Sequence, residues 1–250
     1  MKAERVENTA KAGTVDGKRH FITAVIPAAG QGSRMKAAMN KQYLTLAGKP
    51  ILSYAIDAFE ACELVNEIVV VINANERDIF RREVTARRCY RKLKTVIGGD
   101  CRQASVLNGL KGADPRCDLV MIHDGARPLI NQQLILKCIA ETLRTKATVV
   151  AVPAKNTIKV VRRENDTAVV DHTPDRENLY EVQTPQSFDY ALIMAAYAKA
   201  VADGVAATDD ASLVEHYGEP VTIVRGYYNN IKITTPEDLM IAGAVLAVRP

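Results

Sequence analysis

Apolar residues in this chain gather into short unbroken runs instead of alternating with polar ones. Ile68-Val69-Val70-Val71-Ile72 and Leu119-Val120-Met121-Ile122 have no solvent-facing period, as expected of strands covered on both faces. The pattern predicts strands near 21–27, 66–73, 94–97, 118–123 and 147–152. Longer stretches with helical spacing lie between them and predict helices over 51–62, 75–88, 101–111 and 131–145. Such alternation implies a doubly wound, mostly parallel, Rossmann-like α/β sheet. In sheets of this kind ligands bind beyond the carboxyl ends of the strands. Three polar loops fall there: Ala28 to Arg34, Gly98 to Ser105 and His123 to Arg127.

Residues 157–172 break the rhythm. Thr157-Ile158-Lys159-Val160-Val161 and Ala168-Val169-Val170-Asp171-His172 flank the polar stretch from Arg162 to Thr167, which predicts a β-hairpin. With little apolar surface to give to the main core, this arm, over about 155–177, projects and calls for a partner. A homodimer built through the arm is the expectation. Thr235-Pro236-Glu237-Asp238 predicts a helix start, with Thr235 as cap, Pro236 in the first turn and the acids at the positive end of the dipole. Residues 1–19 mix acids and bases without a hydrophobic segment and read as a disordered N-terminal tail, leaving 20–250 as a single domain.

Composition narrows the function classes. The 250 residues are 48% hydrophobic, enough for one substantial core, and the formal net charge is +4. That charge is too small for a dedicated nucleic-acid binder and suits an enzyme acting on phosphorylated substrates. The basic stretch of Arg77, Arg81, Arg82, Arg87, Arg88, Arg91, Lys92 and Lys94 is interleaved with Glu76, Asp78 and Glu83, so it reads as a solvated face. The five cysteines are odd in number and lack a Cys-x-x-Cys pair, which speaks against a disulfide framework or a zinc site and for a reducing cytoplasm. No apolar run approaches membrane-spanning length.

The first polar loop is the most suggestive. Ala28, Ala29, Gly30, Gln31 and Gly32 carry little side chain at the end of a strand, so an anionic ligand can lie against consecutive backbone N–H groups. Arg34 and Lys41 follow as a planar fork and a compact ammonium. The stretch is not a Walker loop, because Ser33-Arg34 stands where Lys-Ser or Lys-Thr is required. A dinucleotide fingerprint also fits badly, since Met35 takes the place of its third small residue and the next strand ends on Asn73 without an acid. In the second loop Gly98 and Gly99 permit close approach of a base or ribose, and Asp100 and Ser105 offer hydrogen bonds; the alternative is that Asp100 caps the following helix. In the third, Asp124 faces the phosphate loop as a candidate Mg²⁺ ligand. Arg127 either binds a second phosphate or pairs with Asp124, and His123 reads as a packed core residue outside the mechanism. Arg176, after the arm, and Lys232, in a short apolar run, are cations available to a second substrate.

In order along the chain, Ala-Ala-Gly-x-Gly-x-Arg-Met, Lys-Gln-Tyr, Gly-Gly-Asp-x-Arg-x-x-Ser, His-Asp-Gly-Ala-Arg-Pro, Thr-Pro-Gln, Thr-Asp-Asp-Ala-Ser and Asn-Ile-Lys-Ile-Thr resemble the 2-C-methyl-D-erythritol 4-phosphate cytidylyltransferase family from about 21 to 247. The resemblance implies a nucleotidyltransferase-type fold and the transfer of CMP from CTP to methylerythritol phosphate, with release of pyrophosphate, in non-mevalonate isoprenoid biosynthesis. It implies a homodimer locked through the arm. It places transition-state stabilisation on Arg34 and Lys41, positioning of the acceptor phosphate on Arg176 and Lys232, and the metal-proximal acid on Asp124. It also places cytosine-side contacts on Gly99, Asp100 and Ser105 and acceptor contacts on Arg127 and Thr157. Two positions depart from the family pattern: Asn40 stands where a proline is common, and Asn229 where an aspartate is. The nearest rival is a pentitol (ribitol) phosphate cytidylyltransferase, against which Ala126 argues; a rival of another class is a non-catalytic CTP-binding module.

Overall fold

The computed structural model describes residues 18–30 and 40–248. The strands are β1 (Ile22–Pro27), β2 (Thr45–Leu46), β3 (Lys49–Pro50), β4 (Glu67–Ile72), β5 (Leu93–Ile97), β6 (Leu119–Ile122), β7 (Ala147–Pro153), β8 (Val160–Glu164), β9 (Thr167–His172), β10 (Tyr180–Asp189) and β11 (Thr222–Arg225). The helices are α1 (Ile51–Glu60), α2 (Arg77–Phe80), α3 (Arg102–Lys111), α4 (Gln132–Thr145), α5 (Tyr190–Ala202), α6 (Ala211–Tyr217) and α7 (Pro236–Ala247). Seven strands form one sheet in the order β11-β7-β10-β6-β1-β4-β5. All pairings are parallel except those of β10, which runs antiparallel to both β6 and β7.

The central strands are covered on both sides, as their unbroken apolar runs require. Ala24, Ile26, Ile68 and Val70 pack with Leu52, Ile56 and Phe59 of α1 and Leu134, Ile135 and Ile139 of α4. Val25, Val69 and Val71 face Val106 and Leu110 of α3 on the other side. Gly109 lets α3 lie close to the sheet: a Cβ there would sit 2.6 Å from Val25 Cγ1 and 2.7 Å from Val71 Cγ2. From β1 the chain moves outward to β4 and β5, then returns to β6 on the opposite side of β1. The loops after β1 and β6 therefore part company, and this switch point opens a crevice at the carboxyl edge.

Several expectations change. The helix expected over 75–88 is a 3₁₀ turn at Ala74–Glu76, one α-turn in α2 and a five-residue π-turn at Arg81–Thr85. Among these residues only Phe80 and Val84 are buried, so too little apolar surface anchors a regular helix there. The hairpin strands are β8 and β9, joined by Asn165-Asp166 at φ 46° and 62°, instead of the expected 157–161 and 168–172 flanking a six-residue connection. Asn and Asp accept the left-handed conformation of such a tight turn, and both faces of the ribbon are exposed, so Arg162 to Glu164 can continue the strand. The arm exposes Val160, Val161 and Val170. At the C-terminal end Thr235 and Asp238 form a capping box with Pro236 in the first turn, as expected. No helix among the described residues is long and apolar enough to cross a membrane.

Candidate active site

The three loops converge on one cleft of about 690 Å³ at the switch point. After β1, Ala28 is buried and its N–H is tied to Val71 O at 2.7 Å, which turns Ala29 and Gly30 into the opening. Gln31, Gly32 and Arg34 lie outside the described residues. The Gln42 side-chain amide donates to Ala28 O, so the turn that carries Lys41 is stapled to the glycine loop. Lys41 sits in a 3₁₀ turn, Lys41–Tyr43, and its Nζ donates to Ile233 O at 3.0 Å. Asn40 is tethered: its Nδ2 donates to Glu76 Oε1 at 2.8 Å.

The wall after β5 is equally tight. Ser105 Oγ accepts from Gly99 N–H at 3.1 Å and donates to Gly99 O at 3.2 Å, holding the peptide from within α3. A Cβ at Gly98 would come within 2.7 Å of Ala29 Cβ and 2.8 Å of Ser105 Oγ, so only glycine lets the two loops meet. Asp100 lines the cleft but does not cap α3; the cap is Cys101, whose Sγ accepts from Ala104 N–H.

At the end of β6, His123 is fully buried, bonded through Nε2 to Arg127 O at 3.1 Å and through Nδ1 to Thr184 Oγ1 at 3.0 Å. Burial outweighs these contacts and pushes its pKa down to about 4, so the ring is neutral at physiological pH and belongs to the scaffold. Asp124 is the electrostatic hinge of the cleft. Its Oδ2 lies 3.0 Å from Lys232 Nζ and 3.3 Å from Arg127 Nε. Burial alone would raise its pKa, but Lys232, Arg127 and Arg102 together hold it down at about 2.

Of the cations singled out in the sequence, Lys41 and Lys232 line the cleft and Arg127 does not. Arg127 is the partner of Asp124, and it also donates to Asn230 O at 2.7 Å. The structure shows the Asp124 pairing, one of the two readings open for Arg127, in a guanidinium that is buried and engaged on three sides. Arg176 and Thr157 do not line this cleft either; both are exposed at the base of the arm, where Arg176 donates to Lys155 O at 3.2 Å.

Of the cleft-lining residues that the sequence did not single out as site residues, among them Gln42, Asn73 and Thr234, Arg102 is the charged one. Arg102 lines the base end and is gripped by Asp210 at 2.6 and 3.3 Å, while Tyr197 donates to the same carboxylate at 2.6 Å. A cation in the first turn of a helix opposes the dipole, and that oddity was the available signal. Among the described residues no three His, Cys, Asp or Glu side chains cluster as a metal site. A divalent cation here would take one carboxylate from Asp124 and its other oxygens from phosphates and water. That donor set fits Mg²⁺ accompanying a nucleoside triphosphate.

The 2-C-methyl-D-erythritol 4-phosphate cytidylyltransferase family model matches residues 22–248. The curated cytidylyltransferase of that name from Desulforamulus reducens is 47% identical over 229 residues, covering 91% of this chain and 97% of its own. The one from Caldanaerobacter subterraneus subsp. tengcongensis is 46% identical over 222 residues, covering 88% and 96%. Among solved structures, 4-diphosphocytidyl-2C-methyl-D-erythritol synthase from Anaerococcus prevotii superposes with a TM-score of 0.80 at 36% identity, covering 92% of this chain and 100% of its own. The glycine loops, Asp124 and the two lysines around one cleft therefore sit in a chain that belongs to the 2-C-methyl-D-erythritol 4-phosphate cytidylyltransferase family.

Proposed function

We propose that this chain transfers CMP from CTP to 2-C-methyl-D-erythritol 4-phosphate, giving the CDP-linked alcohol and pyrophosphate in non-mevalonate isoprenoid precursor synthesis. The observation that carries the reading is that Lys41, Lys232 and Asp124 line one cleft together with two glycine loops. An oxygen of the acceptor phosphate attacks the α-phosphorus, the bond from that phosphorus to the β-phosphate oxygen breaks, and pyrophosphate leaves. Both reactants are polyanions, so repulsion is the main obstacle. In this reading backbone N–H groups of the loop from Ala29 to Gly32 receive the β- and γ-phosphates, and Lys41 with Arg34 meets the charge that builds in the in-line transition state. Gly99, Asp100 and Ser105 hold the base, and Lys232 directs the acceptor. Mg²⁺ at Asp124 would supply charge neutralisation to the triphosphate. No general base is needed, because a phosphate monoester is largely deprotonated near neutral pH.

The proposal extends to a homodimer in which the arm carries Arg176 and Thr157 to the acceptor end of the partner's cleft. It is supported by the absence of both from the lining of their own chain's cleft and by the apolar side chains Val160, Val161 and Val170 exposed on the arm. The odd, unpaired cysteines suit a cytoplasmic enzyme. The test is a turnover screen of CTP, UTP, ATP and GTP against methylerythritol phosphate and ribitol phosphate, followed by pyrophosphate release. CTP with methylerythritol phosphate should be the preferred pair. Preference for ribitol phosphate would assign the pentitol reaction, and CTP binding without turnover would assign a non-catalytic module.

A further inference from the structure

Lys41 is carried by a turn too short to hold itself. Among the described residues the 3₁₀ segment Lys41–Tyr43 has two backbone bonds at its ends, Tyr43 N–H to Asn40 O at 3.0 Å and Leu44 N–H to Lys41 O at 3.1 Å, and no side-chain cap. Its orientation must come from outside. On the cleft side Gln42 ties it to Ala28 O. On the far side a single carboxylate spans it: Glu76 Oε1 accepts from Asn40 Nδ2 at 2.8 Å, and Glu76 Oε2 accepts from the Tyr43 hydroxyl at 3.4 Å.

Glu76 is well placed for this, just past the carboxyl end of β4 and with its own N–H bonded to Asn73 O at 3.0 Å. It therefore refers the turn to the central sheet. Tyr43 is buried, and burial together with the Glu76 charge pushes its pKa far up, so the hydroxyl remains a donor.

We propose that Glu76 is the positioning residue of Lys41, acting through the Asn40 amide on one side of the lysine and the Tyr43 hydroxyl on the other. The inference rests on the reading of Lys41 as the group that meets the transition-state charge. The backbone of Asn40 supplies an independent handle. Its φ of −59° lies where a pyrrolidine ring locks the chain, so proline at this position would stiffen the turn without any help from Glu76.

The test compares kcat and both KM values for Glu76→Ala, Glu76→Gln, Asn40→Pro combined with Glu76→Ala, and Lys41→Ala. Glu76→Ala should lower kcat about 10- to 100-fold with both KM values within about threefold of the unaltered enzyme. Glu76→Gln should lose less, because its amide oxygen still accepts from Asn40. Asn40→Pro should return kcat of the Glu76→Ala chain to within about fivefold of the unaltered enzyme, and because proline also stabilises the fold as a whole, the recovery is read at a temperature where urea titration shows every chain fully folded. If Glu76→Ala folds poorly, Asn40→Ala cuts the shorter bond alone and should lower kcat about 3- to 10-fold. An unchanged kcat in a folded Glu76→Ala or Asn40→Ala chain, or no recovery with Asn40→Pro, overturns the assignment to Glu76. A Lys41→Ala chain that keeps its turnover overturns instead the reading of Lys41 itself.

Discussion

Replacing Lys41 by alanine should lower kcat by about 10²- to 10³-fold, the cost of removing one preorganised charge from a site where negative charge develops. The fold should survive. Lys41 is half-exposed, and the turn around it is fixed by the buried Gln42 and Tyr43, so truncating the ammonium leaves its supports in place. Unfolding free energy should change by no more than about 0.5–1 kcal/mol, as for a partly exposed substitution that opens no cavity. Because the interaction strengthens in the transition state, kcat falls more than KM for CTP rises. Pyrophosphate release at saturating substrates reads the effect directly. A kcat within about threefold of the unaltered enzyme would remove Lys41 from the chemistry.

Asp124→Asn should have a comparable effect on turnover, about 10²- to 10³-fold, together with a change in stability that Lys41→Ala lacks. The amide keeps the shape but abandons two cations, the Arg127 guanidinium, 9% exposed, and the Lys232 ammonium. The depressed pKa of Asp124 gives the sign. A carboxyl held at about 2 in the folded chain, against about 3.9 in the unfolded one, stabilises the fold above pH 4 and loses that contribution as pH falls toward 2. The difference in unfolding free energy should be on the order of 2–3 kcal/mol at pH 7 and should close as pH falls from about 4 toward 2. Urea titrations across that range measure it. A gap that stays constant with pH would mean that the Asp124 charge does not carry the stability.

The sequence announces some of this arrangement and hides the rest, for physical reasons. β1, β4 and β6 are legible because strands covered on both faces must be apolar throughout, and the loops that follow them stand out as the places where small and charged residues are concentrated. β10 is not. Tyr180 to Asp189 contains Gln183, Thr184, Pro185 and Gln186, and these polar residues are tolerated because their partners come from other elements. Gln183 donates to Tyr227 O, and Gln186 accepts from Asp210 and Ala211 N–H groups.

The same limit governs the site. Lys41 and Lys232 could be nominated from local pattern alone, but a pair such as Arg102 with Asp210 joins residues 108 positions apart. No local spacing encodes it. Arg127 shows the converse: its motif leaves a phosphate contact and a pair with Asp124 both open, and the contacts with Asp124 and two backbone carbonyls, Asn230 O and Val182 O, come from the fold. Glu76 looked like one acid in a solvated charge run, although its carboxylate spans the turn that carries Lys41.

In the proposed reaction the acceptor phosphate itself attacks the α-phosphorus of CTP and pyrophosphate is the leaving group. Phosphorus NMR of a reaction with methylerythritol phosphate carrying ¹⁸O on its phosphate tests it most directly. All of the label should appear in the diphosphate of the CDP-linked product and none in pyrophosphate. Label in the released pyrophosphate, or an unlabelled diphosphate product, would rule out attack by the acceptor phosphate on the α-phosphorus.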